Sequence, residues 1–275
     1  MNWSWAALER PDATLWCRDT GGQGPALLLL HGLAGHGGEW NGVAERLADR
    51  YRVLAPDQRG HGPSTRRPPD LSRDAFVDDV VAVIKQLNEE QPVILMGQSM
   101  GAHTAMLTAA ARPQLVERLI MVGGVGGGGS EVARAVGSRL RSWPVPFTSP
   151  EAALAYFGGD GPVGRAWVAG LEQRSDGLWP RFDPDVMELS LRYVTARPFW
   201  NDWARTSQPT LLVVGEGGII DRDEVGHMVT VRGDVNTVVI PGAGHDVHLE
   251  QPSLLVAALA DFLAGPTTAS SAGSL

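Results

Sequence analysis

The sequence predicts an α/β protein: a mostly parallel central sheet of about eight strands, flanked by helices, with a helical lid inserted in its second half. Three observations carry this. Short apolar runs alternate with segments of helical periodicity. One run passes through a glycine-flanked serine straight into an alanine-rich helix. The rhythm then breaks once, between residues 122 and 211, a gap far longer than the few residues that join strand to helix.

The apolar runs lie at 26–30, 51–55, 93–96, 119–122, 211–214 and 238–240. Each is too short and too apolar for a half-exposed hairpin, and suits a buried parallel strand. An earlier stretch at 13–18 is expected to supply an antiparallel edge. Ser72 is placed to cap a helix whose apolar face is Phe76, Val80, Val83, Ile84 and Leu87. Residues 100–111 form the alanine-rich helix, and Leu254, Leu255, Ala258, Leu259 and Phe262 mark a closing one. The break opens on Gly123, Gly124 and a further glycine run to Gly129, a hinge or close approach of backbone. It carries Trp143, Trp167, Trp179, Trp200 and Trp203, five of the nine tryptophans. The expected organisation is a core at 1–122 and 207–265, a helical lid at 123–206 and a flexible tail at 266–275.

Composition bounds the function. The chain has 275 residues, 43% hydrophobic and 20% charged, with a net charge of −8, so it lacks the basic surface that nucleic acid or anionic lipid requires. A single cysteine, Cys17, precludes an internal disulfide and any cysteine-rich metal site. No run approaches the ~18 apolar residues of a membrane span. The start, Met1-Asn2-Trp3-Ser4-Trp5, lacks the basic and apolar regions of a signal peptide, so the expected location is the cytoplasm. The expected partner is a small-molecule substrate, with no cofactor and no metal.

Three segments carry chemistry. Val93-Ile94-Leu95-Met96-Gly97-Gln98-Ser99-Met100-Gly101 is a strand, a Gly-x-Ser-x-Gly turn and a helix, which together make a nucleophile elbow. The helix N-terminus offers the Met100 N–H to a developing oxyanion. Leu27–Leu30 followed by His31-Gly32-Leu33 places the Leu33 N–H opposite, while His31 reads as a turn residue. Gly242-Ala243-Gly244-His245, after the last strand, supplies the base that a serine hydroxyl needs near neutral pH.

With these residues in place, the chain resembles the α/β-hydrolase superfamily, in its lid-bearing esterase- or lactonase-like form, over about residues 26–263. Asp57-Gln58-Arg59-Gly60-His61-Gly62-Pro63-Ser64 and His248-Leu249-Glu250-Gln251-Pro252 add to the likeness, and the resemblance makes Asp57, Arg59 and His61 structural. It implies an acyl-enzyme on Ser99, with His245 relaying the proton, acting on a carboxylic ester or lactone. Carbon–carbon bond hydrolysis, a cofactor-free lyase or cyclase using His245 as base, and a catalytically dead binding protein are the alternatives.

One departure stands out. The family's acid follows the 211–214 strand in Gly-Glu-x-Asp; here the segment is Gly215-Glu216-Gly217-Gly218-Ile219-Ile220-Asp221. Gly218 takes the acid's place, and the family's other acid position, after 119–122, holds Gly123 and Gly124. Asp221 is the candidate acid, though it also suits a helix N-cap with Glu224 completing a capping box. Glu216, or a Ser–His pair without an acid, are the other readings. The lid tryptophans suggest an apolar or aromatic substrate pocket, with Trp200 and Trp203 as candidate lining, or alternatively the packing of the lid's own helices.

Overall fold

Alternation within the apolar runs decides how the sheet is covered. Leu27 and Leu29 face one side with Val53, Ile94, Met96, Ile120 and Val213; Leu28 and Leu30 face the other with Leu54, Leu95, Leu119, Met121 and Leu212. Successive side chains point to opposite faces of a strand, so runs apolar at every position must be covered on both sides. The computed structural model, which describes residues 2–126 and 128–265, has this two-faced core. The tail expected at 266–275 lies outside the described residues.

The strands of the main sheet are β1 (Ser4–Glu9), β2 (Thr14–Asp19), β3 (Ala26–Leu30), β4 (Arg52–Asp57), β5 (Val93–Gln98), β6 (Val116–Val122), then β9 (Thr210–Gly215) and β10 (Val235–Ile240). A separate hairpin pairs β7 (Leu171–Arg174) with β8 (Gly177–Pro180). The main sheet runs β1-β2-β4-β3-β5-β6-β9-β10, parallel from β4 onward, with β2 antiparallel to both neighbours. The edge expected at 13–18 is therefore one strand in from the border, because Ser4–Glu9 pairs along its whole length. The run at 238–240 is not buried on both sides: β10 is the opposite edge, and Val239 is 56% exposed.

Helices α1 (Asn41–Leu47) and α11 (Pro252–Ala264) cover one face. Helices α2 (Arg73–Leu87), α3 (Met100–Ala111), α8 (Trp200–Ala204) and α9 (Arg222–Val231) cover the other. The Ser72 hydroxyl accepts the Ala75 N–H at 3.3 Å and so starts α2. Strand order reverses between β3 and β5, since the chain leaves β3 toward β4 and later returns to β5 on the opposite side. A crevice opens beyond the carboxyl ends of strands at such a switch point.

The segment between β6 and β9 holds α4 (Gly129–Arg141), α5 (Pro150–Tyr156), α6 (Pro162–Ala169), the β7–β8 hairpin, α7 (Pro184–Thr195) and α8. It is thus not purely helical, as the sequence led us to expect. Nor does it extend to 206 as a separate unit, since Phe199 and Trp203 are buried in the main core. Its own core gathers Leu140, Trp143, Phe147, Phe182 and Met187 over Met100. The last short helix, α10 (Val247–Glu250), follows the loop after β10.

Candidate active site

β5 delivers Ser99 to the crevice. The chain turns there with φ 52° and ψ −117°, a conformation that costs an L-residue on the order of 1–3 kcal/mol. Two glycines let the turn close. A Cβ on Gly97 would lie 2.2 Å from the Gly101 carbonyl, and one on Gly101 would lie 2.2 Å from the Leu30 oxygen. The Ser99 N–H donates to Val122 O at 2.9 Å, and the His103 N–H to Ser99 O at 3.1 Å. The strained turn is thereby held from both sides.

The loop after β3 is ordered by two buried imidazoles. His31 Nε2 accepts the Gln58 N–H at 3.0 Å while Nδ1 lies 2.7 Å from Gly32 O. His61 Nε2 accepts the Ala34 N–H at 3.1 Å, with Nδ1 2.9 Å from Arg59 O. An acceptor Nε2 requires the neutral ring with its proton on Nδ1. Burial enforces that state, holding His31 well below the usual histidine range and His61 down at about 4. Both rings are structural, as the sequence suggested for them. The Leu33 and Met100 N–H groups donate to no described residue. Asp57 takes Arg18 at 2.6 Å and the Gly37 N–H at 2.9 Å, and Arg59 binds Asp79 and Asp12.

His245 hangs from a loop that is tied at every joint. The Glu250 carboxylate accepts the N–H of Gly244 at 2.7 Å and of Asp246 at 3.0 Å, the residues on either side. Gln98 Nε2 donates to His245 O at 3.2 Å and to Asp246 Oδ1 at 3.3 Å. Burial lowers the His245 pKa; the charges of Asp246 and Glu250 oppose this, and His248 adds to it. His248 itself is buried against Trp40, 4.5 Å between rings, and burial pushes it down to about 4.

Ser99, His245 and Leu33 share the lining of a cavity of about 770 Å³. The inserted segment supplies its roof: Val132, Val136, Arg139 and Leu140 from α4, with Trp143, Tyr156, Phe157, Trp167 and Leu191. Trp143 meets Phe157 edge-on at 4.9 Å and Trp167 at 5.6 Å, so the aromatic wall is one packed cluster. A second cavity of about 290 Å³ joins Ser99 and His245 to Met100, Gly123, Gly124 and Glu224.

The two tryptophans singled out from the sequence belong elsewhere. Trp203 is fully buried in the main core, its Nε1–H donating to Met228 O at 2.9 Å and the Arg232 guanidinium lying over its ring. Trp200 packs on the same core and meets the His227 ring at 4.2 Å. Neither lines the cavities over Ser99. The aromatic lining comes from Trp143 and Trp167 instead, and only packing tells the two pairs apart.

Asp221 is exposed and caps α9, its Oδ1 accepting the Glu224 N–H at 2.7 Å. It lines neither cavity with His245. Glu216 is engaged with the Gly242 N–H at 3.0 Å. The family's two acid positions, Gly218 and Gly123, instead border a void of about 10 Å³ beside His245. The capping box is only half made, because the Glu224 side chain leaves α9. Its Oε1 accepts the Val125 N–H at 3.2 Å and would meet a Cβ on Gly124 at 2.1 Å. Burial raises the Glu224 pKa, the Val125 N–H opposes this, and the Asp221 charge adds to it. A carboxylate from α9 thus reaches the end of β6, a role that its place three residues after a cap hides in the sequence.

Among the described residues no group of three or more His, Cys, Asp or Glu side chains is placed to hold a metal ion, and no helix is long and apolar enough to cross a membrane. A serine hydroxyl on a strained turn and an imidazole lining the same cavity are the kinds of group from which a nucleophile and its base can be drawn.

Comparison with known proteins gives the family and the fold. The profile of the alpha/beta hydrolase family matches residues 27–259. The chain is 27% identical over 251 residues to a 2-(acetamidomethylene)succinate hydrolase of Mesorhizobium japonicum, spanning 88% of this chain and 89% of the relative. It is 30% identical over 261 residues to an N-formylmaleamate deformylase of Pseudomonas putida, spanning 90% and 91%. Among solved structures, an E-2-(acetamidomethylene)succinate hydrolase superposes with a TM-score of 0.87 at 25% identity, over 96% of this chain and 100% of that one.

Proposed function

Because the chain belongs to the alpha/beta hydrolase family, we propose that it is a serine hydrolase that cleaves a carboxylic ester or lactone through an acyl-enzyme on Ser99, beneath a lid formed by the inserted segment. The observation that carries this reading is Ser99 itself. It is held at positive φ on the floor of a cavity that His245 and Leu33 also line, and the Leu33 and Met100 N–H groups donate to no described residue.

The steps follow from those positions. Ser99 Oγ bonds to the carbonyl carbon while its proton passes to His245. The Leu33 and Met100 N–H groups take the oxyanion. The adduct collapses, the C–O bond breaks, and the leaving oxygen takes the proton from His245. Water then gives a proton to His245 and adds to the acyl carbon; Oγ departs with that proton and the acid is released. Burial favours the neutral imidazole that the first transfer requires. Glu224 is the carboxylate this reading assigns to orient His245, since among the described residues it is the carboxylate that lines the smaller cavity with Ser99 and His245. A long side chain half-buried beside Gly124 can turn toward the ring. Asp221 keeps its cap.

A second reading, hydrolysis of an N-acyl bond by the same steps, draws support from two relatives whose names specify an acetamido compound and an N-formyl compound. A fluorophosphonate should label Ser99, and a panel of short-chain, aryl and lactone esters with matched N-acyl compounds should identify the bond. Ser99→Ala should lose the label and reduce turnover to the residual ~10³–10⁴-fold over water that binding and oxyanion donors supply. Undiminished turnover in that variant would overturn the mechanism.

A further inference from the structure

One side chain in the roof does not fit an apolar pocket. α4 presents Val132, Val136, Arg139 and Leu140 to the cavity over Ser99, positions that share one face of a helix. Three are aliphatic and the fourth is a guanidinium. The other arginines of the inserted segment are engaged: Arg134, Arg141, Arg165, Arg174, Arg192, Arg197 and Arg205 each hold a carboxylate, and Arg181 a backbone carbonyl. The Arg139 guanidinium has no hydrogen-bond or ion-pair partner among the described residues, in a chain with 31 acidic and only 23 basic side chains.

Arg139 is both exposed and part of the lining, so it stands where the cavity opens. Asp246 is the carboxylate of this lining; it belongs to the His245 loop and accepts from Gln98. A free guanidinium offers a planar fork of donors that matches a carboxylate in two parallel hydrogen bonds. The low polarity of the aliphatic and aromatic walls strengthens such a pair relative to open water.

We propose that the substrate is an acyl compound bearing a carboxylate, anchored by Arg139 at the opening while its acyl carbon lies at Ser99. This rests on the reading of Ser99 as the nucleophile, and it names the substrate class that the site takes. Arg139 binds and orients the substrate; it takes no part in bond breaking.

The test compares p-nitrophenyl monoesters of dicarboxylic acids, from succinate to suberate, with alkanoate esters of equal chain length. The expected kcat/KM ratio, acid over neutral, exceeds about tenfold at the best length and resides in KM. R139Q should bring the ratio to about one, and R139K should retain part of it. Binding gives a readout that needs no turnover: in Ser99→Ala, tryptophan fluorescence should report tighter binding of the free dicarboxylate than of its diamide, and adding R139Q should abolish the difference. A ratio at or below one in the parent enzyme, or the same preference in R139Q, overturns the carboxylate assignment. If neither ester series is hydrolysed and Ser99 takes no fluorophosphonate, the nucleophile reading fails, and the binding comparison still decides the role of Arg139.

Discussion

Replacing Glu224 by glutamine removes a charge and keeps an acceptor, which makes it the substitution that separates catalysis from structure. The glutamine oxygen can take the Val125 N–H that Oε1 now accepts at 3.2 Å, so stability should change by less than about 1 kcal/mol. The catalytic cost is much larger. If the Glu224 side chain turns to within about 4 Å of the imidazolium, as the assignment requires, the pair is worth about 4 kcal/mol at an effective dielectric of about 20, and each 1.36 kcal/mol is tenfold in rate. Glu224→Gln should therefore lower the acylation rate about a thousandfold, measured by stopped-flow release of p-nitrophenol, with the melting temperature close to that of the parent. Asp221 is the control. Asn caps a helix about as well as Asp, so Asp221→Asn should be nearly silent, and Asp221→Ala should cost about 1 kcal/mol of stability with its rate retained. A Glu224→Gln enzyme within threefold of the parent would refute the assignment; if Asp221→Asn fell a hundredfold instead, the acid would be Asp221, reached by movement of the 216–221 loop.

The acid limb of kcat/KM should fall below the ordinary histidine value of about 6.5, because burial lowers the His245 pKa and the base must be neutral to act. Since Asp246 raises that pKa, Asp246→Asn should move the limb to still lower pH; a limb above 6.5 in the parent would contradict the burial argument. Stability should also decline from pH 6.5 toward about 4, as the unfolded chain protonates histidines that the fold keeps neutral at His61 and His248. Trp203→Phe should lower the melting temperature without selective change in KM, whereas Trp167→Ala should raise KM for aryl esters more than for acetates. Equal effects of the two on aryl KM would return Trp203 to the substrate site.

The parts of this molecule that are legible in the sequence share a cause: each is written locally and redundantly. A five-residue apolar run such as Ala26–Leu30 has few folded alternatives, and the glycines around Ser99 are required by the tight turn in which they sit. What the sequence hides depends on partners far away along the chain. Ser4–Glu9 is a strand because Thr14–Asp19 needs a neighbour, although its alternation is weak and mostly exposed. The β7 strand reads Leu-Glu-Gln-Arg and carries little apolar signal. Trp203 is core and Trp167 is cavity wall, yet each sits in a short helix of the same inserted segment. Glu224 has the spacing of half a capping box; only the approach of β6 to α9 shows that its carboxylate is drawn to the Val125 N–H. For Arg139 a signal is present in the spacing alone: Val132, Val136 and Leu140 fall on its helix face, and a charge set into an apolar stripe marks a position with a task other than packing.

The return of the chain from β6 to β9 carries a consequence for how this enzyme can change over evolutionary time. Two parallel neighbours need a crossover that brings the chain back to the starting edge of the sheet, and here that service falls to α8, five residues long, with Phe199 and Trp203 driven into the core. Two large rings thus do the anchoring that a full-length helix ordinarily performs. Everything from Gly129 to Thr195 is free of that duty and lies on the far side of the anchor. The segment can be lengthened, shortened or exchanged by recombination while Ser99, His245 and the sheet stay as they are. Grafting a relative's segment between residues 128 and 198 should accordingly transplant preference without transplanting chemistry.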